Sequence, residues 1–199
     1  MVTAGEGGLV TTPHRELAEE LRRARNYGKG ADYDCETLGL SARMSEMQAA
    51  LGRAGMGRLQ EALRVRDEIA RQYERRLARI PGIELQRIPA AAFSARKDYA
   101  VRVSGWIGRD GLRRALGQAG IETRTYFDPP LHQQKLYRDY HGPADRPLEV
   151  SEKVSREILC LPMHSRLRVE DVGRVCDVIE GFASGREARG TALERTAAV

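Results

Sequence analysis

Helical spacing of apolar residues dominates the chain up to Pro81-Gly82, and strand-like alternation enters after it. Leu9 to Thr12 is a short β-prone run, expected as a strand. Thr12-Pro13 then predicts a helix start, with Thr12 as N-cap and Pro13 at the first helical position. Leu17, Leu21 and Ala24 share one face of that helix. Glu16, Glu19 and Glu20 come early and Arg22, Arg23 and Arg25 late, which suits the helix dipole. Residues 26 to 43 read as a long loop carrying Gly28, Gly30 and Gly39. Ser45 with Gln48 forms a capping box for a long helix. Its stripe runs Leu59, Leu63, Ala70, Tyr73, Leu77, Ile80, with Arg66 as the polar interruption. Gly52, Gly55 and Gly57 are expected to bend or split it, and Pro81-Gly82 to stop it.

Beyond that stop, Ile83 to Ile88 and Asp98 to Val103 alternate and predict strands around a small-residue loop, 89 to 96. Leu112, Ala115, Leu116 and Ala119 define a short helix ended by Gly120. Ile121 to Phe127 predicts a strand closed by Asp128-Pro129-Pro130, and 131 to 147 reads as mixed loop and short helix. Val150, Val154 and Ile158 predict another helix, Leu159 to Met163 a short apolar run, and Val169, Val172, Cys176 and Ile179 a last helix. From Ser184 the chain lacks aromatics and reads as a frayed tail. The fold class expected is α+β: a long spine helix leading into a small, largely antiparallel sheet covered by helices.

Composition changes this picture little. Of 199 residues, 41% are apolar, enough for a core. The net charge of +5 comes from 33 Lys plus Arg against 28 Asp plus Glu, interleaved as in RDEIARQYERR. Interleaving marks solvated helix faces and argues against nucleic acid as a partner. Only Lys29, Lys97, Lys135 and Lys153 are lysines. The odd, scattered cysteines Cys35, Cys160 and Cys176 point to a reduced, cytoplasmic setting. No apolar run approaches a membrane span. GEGG is not a phosphate-binding P-loop, since no GK[ST] follows. Cys160 with His164, or His132 with His141, is too few ligands for a metal site.

Taken in order, GEGGLVTT, RRARNYGKG, LGLSARMSEMQAALG, TRTYFDPPLHQQKLYRD and ILCLPMHSRLRVEDVGRV resemble the carboxy-terminal part of the DegT/StrS family of sugar aminotransferases. The resemblance covers about residues 3 to 183. It implies a fold-type-I enzyme dependent on pyridoxal 5'-phosphate. The implied reaction moves an amino group from an amino acid, glutamate being the expected donor, to a keto group of a nucleotide-linked sugar. It also implies a layout. Residues 1–25 would be a remnant of the large coenzyme domain, and 26–57 an inter-domain and dimer-interface loop with the start of the spine helix. Residues 58–184 would form the small domain, with 185–199 a disordered tail.

In that family the lysine that binds the coenzyme covalently stands shortly before GEGG. Counting back from Gly5 lands just before Met1, so no catalytic residue is expected within the chain. The four lysines present read as solvated surface residues. The expected partner is therefore a second subunit, in a homodimer or in a heterodimer with a full-length relative. The alternative role is a non-catalytic remnant or regulatory partner of such a relative.

The resemblance also nominates site residues. Ser41 stands where the family has an asparagine that hydrogen-bonds the coenzyme phosphate of the neighbouring subunit; a helix-entry cap is the other reading. Arg43 matches a family arginine that could meet substrate or phosphate, or else pair with Glu46 or Glu36. His132, rigidly placed after Pro129-Pro130, and Tyr126 before it are expected to line one substrate cleft, with loop or core packing as the alternative. Glu6 is expected to accept backbone N–H bonds within the Gly-rich turn.

Overall fold

The computed structural model describes residues 2–137 and 147–197, with side chains as far as Gly185. The chain forms two compact units, Met1–Glu61 and Ala62–Val199.

In the first unit, the GEGG segment is a tight turn in which the Gly7 N–H donates to the Ala4 carbonyl at 3.1 Å. Glu6 is exposed and, among the described residues, accepts no bond in it, contrary to expectation. Leu9 and Val10 are 81% and 73% exposed and form no strand. Helix α1 is Arg15–Ala24, with His14 rather than Thr12 at the N-cap. The Thr12 hydroxyl accepts the His14 N–H at 3.1 Å, so it is used two residues too early to cap the helix. The capping box at α2, Glu46–Gly57, forms as expected: Ser45 Oγ accepts from the Gln48 N–H, and Gln48 Oε1 accepts from the Ser45 N–H at 2.9 Å. The helical run then breaks at Arg58, next to the last of the three glycines, and resumes as α3, Leu59–Leu77.

In the second unit, α3 buries Ile69, Ala70, Tyr73 and Leu77. Strands β1 (Ile83–Leu85), β2 (Tyr99–Val103) and β3 (Ile158–Leu161) make an antiparallel sheet in the order β1-β2-β3. Alternation along β2 sends Tyr99, Val101 and Val103 into the core. Arg102, on its other face, pairs with Glu84 across the sheet at 2.7 Å and with Glu157 at 2.5 Å. Helix α4 (Arg109–Gln118) contributes Leu112 and Leu116. Helix α5 (Glu149–Glu157) leads directly into β3, and α6 (Val169–Ala197) contributes Val172, Val175, Cys176 and Ile179. Tyr73 stacks on Tyr99 with centroids 4.7 Å apart and donates its hydroxyl to the Pro162 carbonyl at 3.1 Å. Arg76 ties α3 to α6 by donating to Glu180 at 2.8 and 2.5 Å and to Asp177 at 2.7 Å. No helix among the described residues is long and apolar enough to cross a membrane.

Three expectations change here. The β-rich run at 121 to 127 is not a strand. Ile121 and Thr123 are buried, but pairing amounts to a single bridge, Arg124 with Cys160, before the chain turns. Val150 is 78% exposed and the buried residue of α5 is Ser155, so the valine spacing marks no core stripe. Helix α6 continues to Ala197, and the residues expected as a tail are helical that far, in keeping with the high helix propensity of their Ala, Glu and Arg. His141 lies outside the described residues.

Burial raises the Cys160 thiol above its ordinary range and pushes Cys176 up to about 11. Cys35 is exposed. A thiol reagent at pH 8 should therefore label Cys35 fast and Cys176 only at the rate of unfolding. The folded state holds the Cys176 proton more tightly than the unfolded state does. Its contribution to stability is complete below the unfolded value of about 9 and fades as pH rises through about 11. Denaturation midpoints between pH 8 and 11 should fall, and less steeply for Cys176→Ala than for the parent.

Candidate functional site

The first unit builds a polar patch from two ends of its long loop. Helix α1 ends as Gly28 N–H and Asn26 N–H close on the Arg23 carbonyl, at 2.9 Å each. Tyr27 takes a left-handed φ of 65°, and its N–H donates to the Leu40 carbonyl at 3.0 Å. Asn26 and Ser41 form a bridge beside it. This brings three side chains together. Ser41 Oγ donates to Tyr27 Oη at 2.9 Å, Arg43 Nη2 approaches the same oxygen at 3.4 Å, and the guanidinium lies 5.3 Å from the Tyr27 ring centroid. Lys29 Nζ is 5.5 Å from that centroid and 4.4 Å from the Tyr33 ring. The Ser41 bond, then the Arg43 bond and charge, lower the Tyr27 hydroxyl below the ordinary phenol range.

Ser41 is thus not a helix cap, a role that Ser45 fills. Among the described residues Arg43 makes no ion pair with Glu36 or Glu46 and faces Tyr27 instead. Tyr27 itself went unmarked in the sequence because Asn-Tyr-Gly reads as a helix stop. A pattern that stops a helix says nothing about where the tyrosine ring goes.

The second unit carries a cavity of about 420 Å³ lined by Asp98, Thr123, Arg124, Tyr126, Cys160 and His164, among others. Lys97 Nζ holds Asp98 at 2.8 Å and lies 5.8 Å from the Tyr126 ring. The hydrogen bond to Asp98 raises the Lys97 ammonium above its ordinary range. His132 does not line this cavity. It sits in a short 3-10 turn, Leu131–Gln133, with Nε2 3.3 Å from Glu152 Oε1 on α5. Residues 127 to 131 separate it from Tyr126 along the chain. The turn between them is fixed from two sides. Arg109 donates to Asp128 at 2.7 Å, and the buried Ser155 hydroxyl donates to the Phe127 carbonyl at 2.7 Å. Ser155 carries no sequence signal as a buried serine on a polar helix. Among the described residues no group of three or more His, Cys, Asp or Glu could hold a metal ion.

The family model for DegT/DnrJ/EryC1/StrS aminotransferases matches residues 1–180. The chain belongs to this family. Its members are pyridoxal phosphate enzymes, so that coenzyme is implied. Among curated relatives, the dTDP-3-amino-3,4,6-trideoxy-alpha-D-glucose transaminase of Streptomyces venezuelae is 35% identical over 90% of this chain and 46% of its own length. The UDP-N-acetyl-3-dehydro-alpha-D-glucosamine 3-aminotransferase of Acidithiobacillus ferrooxidans is 32% identical over 92% of this chain and 47% of its own. A solved DegT/DnrJ/EryC1/StrS aminotransferase from Brucella abortus superposes with a TM-score of 0.78 at 34% identity, covering 86% of this chain and 45% of that one. The chain spans about half the length of the relatives it matches. The α+β small-domain architecture expected from sequence is the one these aminotransferases share.

The residues present fit one end of the implied coenzyme. Exposed Arg43 and half-buried Lys29, with the hydroxyls of Tyr27 and Ser41, offer positive charge and O–H donors suited to a phosphate. The lysines do not fit the other end. Lys97 is ion-paired, and Lys135 and Lys153 are exposed side chains outside the cavity.

Proposed function

We propose that this chain supplies the small domain and the phosphate-facing loop of a transaminase acting on nucleotide-linked keto-sugars, with glutamate as amino donor. The reading rests on the family match over residues 1–180 together with relatives named as sugar-nucleotide transaminases. When bound, pyridoxal phosphate supplies the electron sink that lets an amino group pass between amino acid and sugar. The chain's own residues bind and orient. The Tyr27, Ser41 and Arg43 patch meets the phosphate, in the manner of a loop reaching into a neighbouring subunit. Tyr126, with its ring on the wall of the second unit's cavity, and His132, oriented by Glu152, meet the substrate. The working assembly is a dimer in the cytoplasm.

The test begins with the DNA read in frame upstream of the Met1 codon, and with assay of the whole product on dTDP- and UDP-linked keto-sugars. Formation of 2-oxoglutarate from glutamate only when the sugar is present is the expected result. The second reading, a non-catalytic partner of a full-length relative, is favoured by the exposed apolar side chains of the first unit, among them Leu38, Leu40 and Met47. It predicts a stable hetero-complex and no sugar-dependent turnover.

A further inference from the structure

We infer that Arg109 is a positioning residue: through Asp128 it fixes where Tyr126 and His132 stand. The inference rests on the reading that those two side chains meet the substrate.

Arg109 sits where local chemistry argues against it. It is the first residue of α4, the end of a helix that disfavours a cation. Its side chain is only 9% exposed. Nε is an ion-pair contact of Asp110 at 2.6 Å, and Nη1 is buried with no hydrogen-bond partner among the described residues. A buried charge with an unused donor weakens a fold, and such a group in a native structure calls for an explanation. Nη2 supplies one: it donates to Asp128 Oδ2 at 2.7 Å, 19 positions along the chain.

The turn that holds Asp128 needs such a grip. Pro129 and Pro130 have no N–H to offer. Among the described residues, none from Tyr126 to Pro130 donates a backbone N–H to a backbone carbonyl. Side chains fasten the turn instead. Ser155 on α5 donates to the Phe127 carbonyl at 2.7 Å and lies 3.4 Å from Asp128 Oδ1. Glu152, three residues earlier on the same helix face, meets His132 at 3.3 Å. Asp128 is thus held by α4 at one oxygen and approached by α5 at the other. It follows Tyr126 by two residues and precedes His132 by four. The prolines between it and His132 have fixed φ, so a shift of Asp128 is passed along the turn rather than absorbed. Arg109 is not on the cavity wall, and its influence on the site runs through this turn.

The test uses the full chain with ¹³C-labelled tyrosine and histidine, followed by NMR. Arg109→Gln should move the ring signals of Tyr126 and His132 and leave those of the stacked core pair, Tyr73 and Tyr99, in place. Arg109→Lys, which keeps the charge, should return them most of the way. In the whole product encoded by the extended reading frame, Arg109→Gln should raise KM for the nucleotide-linked keto-sugar about tenfold, with kcat within about threefold and KM for glutamate unchanged. Ring signals of Tyr126 and His132 that stay still, a lysine variant no better than the glutamine one, or a fall in kcat at constant KM would each overturn the inference. So would equal movement of the Tyr73 and Tyr99 signals, the mark of a merely structural role. Should Arg109→Gln fail to fold, Arg109→Met combined with Asp128→Asn removes the buried charge and its partner charge together, and the same signals decide. A parent enzyme with no sugar-dependent turnover sinks the substrate reading instead, and the positioning role then stands or falls on the ring signals.

Discussion

Arg66→Ala will destabilise the second unit by about 3 kcal/mol, the largest loss expected from any one side chain outside the apolar core. The residue interrupts the apolar stripe of α3, yet it is buried. Its Nη1 donates to the carbonyls of Arg96, Lys97 and Met163 at 2.7, 3.0 and 3.3 Å. One guanidinium thus ties the approach to β2 and the segment after β3 to the spine helix. Burial lowers its proton affinity, and the nearby Asp98 charge partly restores it. Removing it strands three carbonyl oxygens and opens a cavity where its stem packed. Arg66→Met keeps the stem and should recover about 1 kcal/mol of the loss. Thermal unfolding checks this: the midpoint should drop by roughly 6–12 °C for the alanine variant. Asp98 and Met163 also line the cavity, so the same substitution should loosen a candidate substrate wall.

Gly28→Ala should cost the first unit about 2–4 kcal/mol, by two separate routes. Gly28 has φ of 74°, where an added Cβ strains the backbone. That Cβ would also sit 1.8 Å from the Thr37 carbonyl oxygen, which is backbone and cannot swing aside. The Gly28 carbonyl accepts the Glu36 and Thr37 N–H groups at 2.9 and 3.3 Å, so any shift opens the loop that places Ser41. Hydrogen exchange at the Glu36 amide should accelerate about 30-fold or more. The control is Gly117→Ala inside α4, where φ is ordinary and nothing lies within 4 Å of the new Cβ. That change should be neutral or stabilise by up to about 1 kcal/mol.

These two residues show what the sequence exposes and what it hides. Local chemistry was legible where one segment decides the outcome. The Ser45–Gln48 box, the glycine-weakened run before α3 and the alternation of Tyr99, Val101 and Val103 all concern residues a few positions apart. What depends on distant partners was not legible. Arg66 looked like a blemish in a stripe because its acceptors lie 30, 31 and 97 positions away. The run at 121 to 127 has strand chemistry, but β3 offers it a single bridge, to Cys160. The candidate site follows the same division. Ser41 and Arg43 were marked by motif, while Tyr27, which joins them, was hidden by a turn-like context. His132 meets Glu152 on α5, 20 positions away, a contact that its own segment does not announce.

We propose that these residues serve the phosphate and substrate ends of a coenzyme site, while none of the chain's lysines anchors the coenzyme covalently. Lys97 is held protonated by Asp98, and a protonated amine does not attack an aldehyde. Reduction of a mixture of the chain and pyridoxal phosphate with borohydride, followed by peptide mapping, tests this directly. Scattered, substoichiometric modification that falls away as the coenzyme is diluted is the expected result. Stoichiometric pyridoxyl labelling of any one of Lys29, Lys97, Lys135 or Lys153 would contradict it.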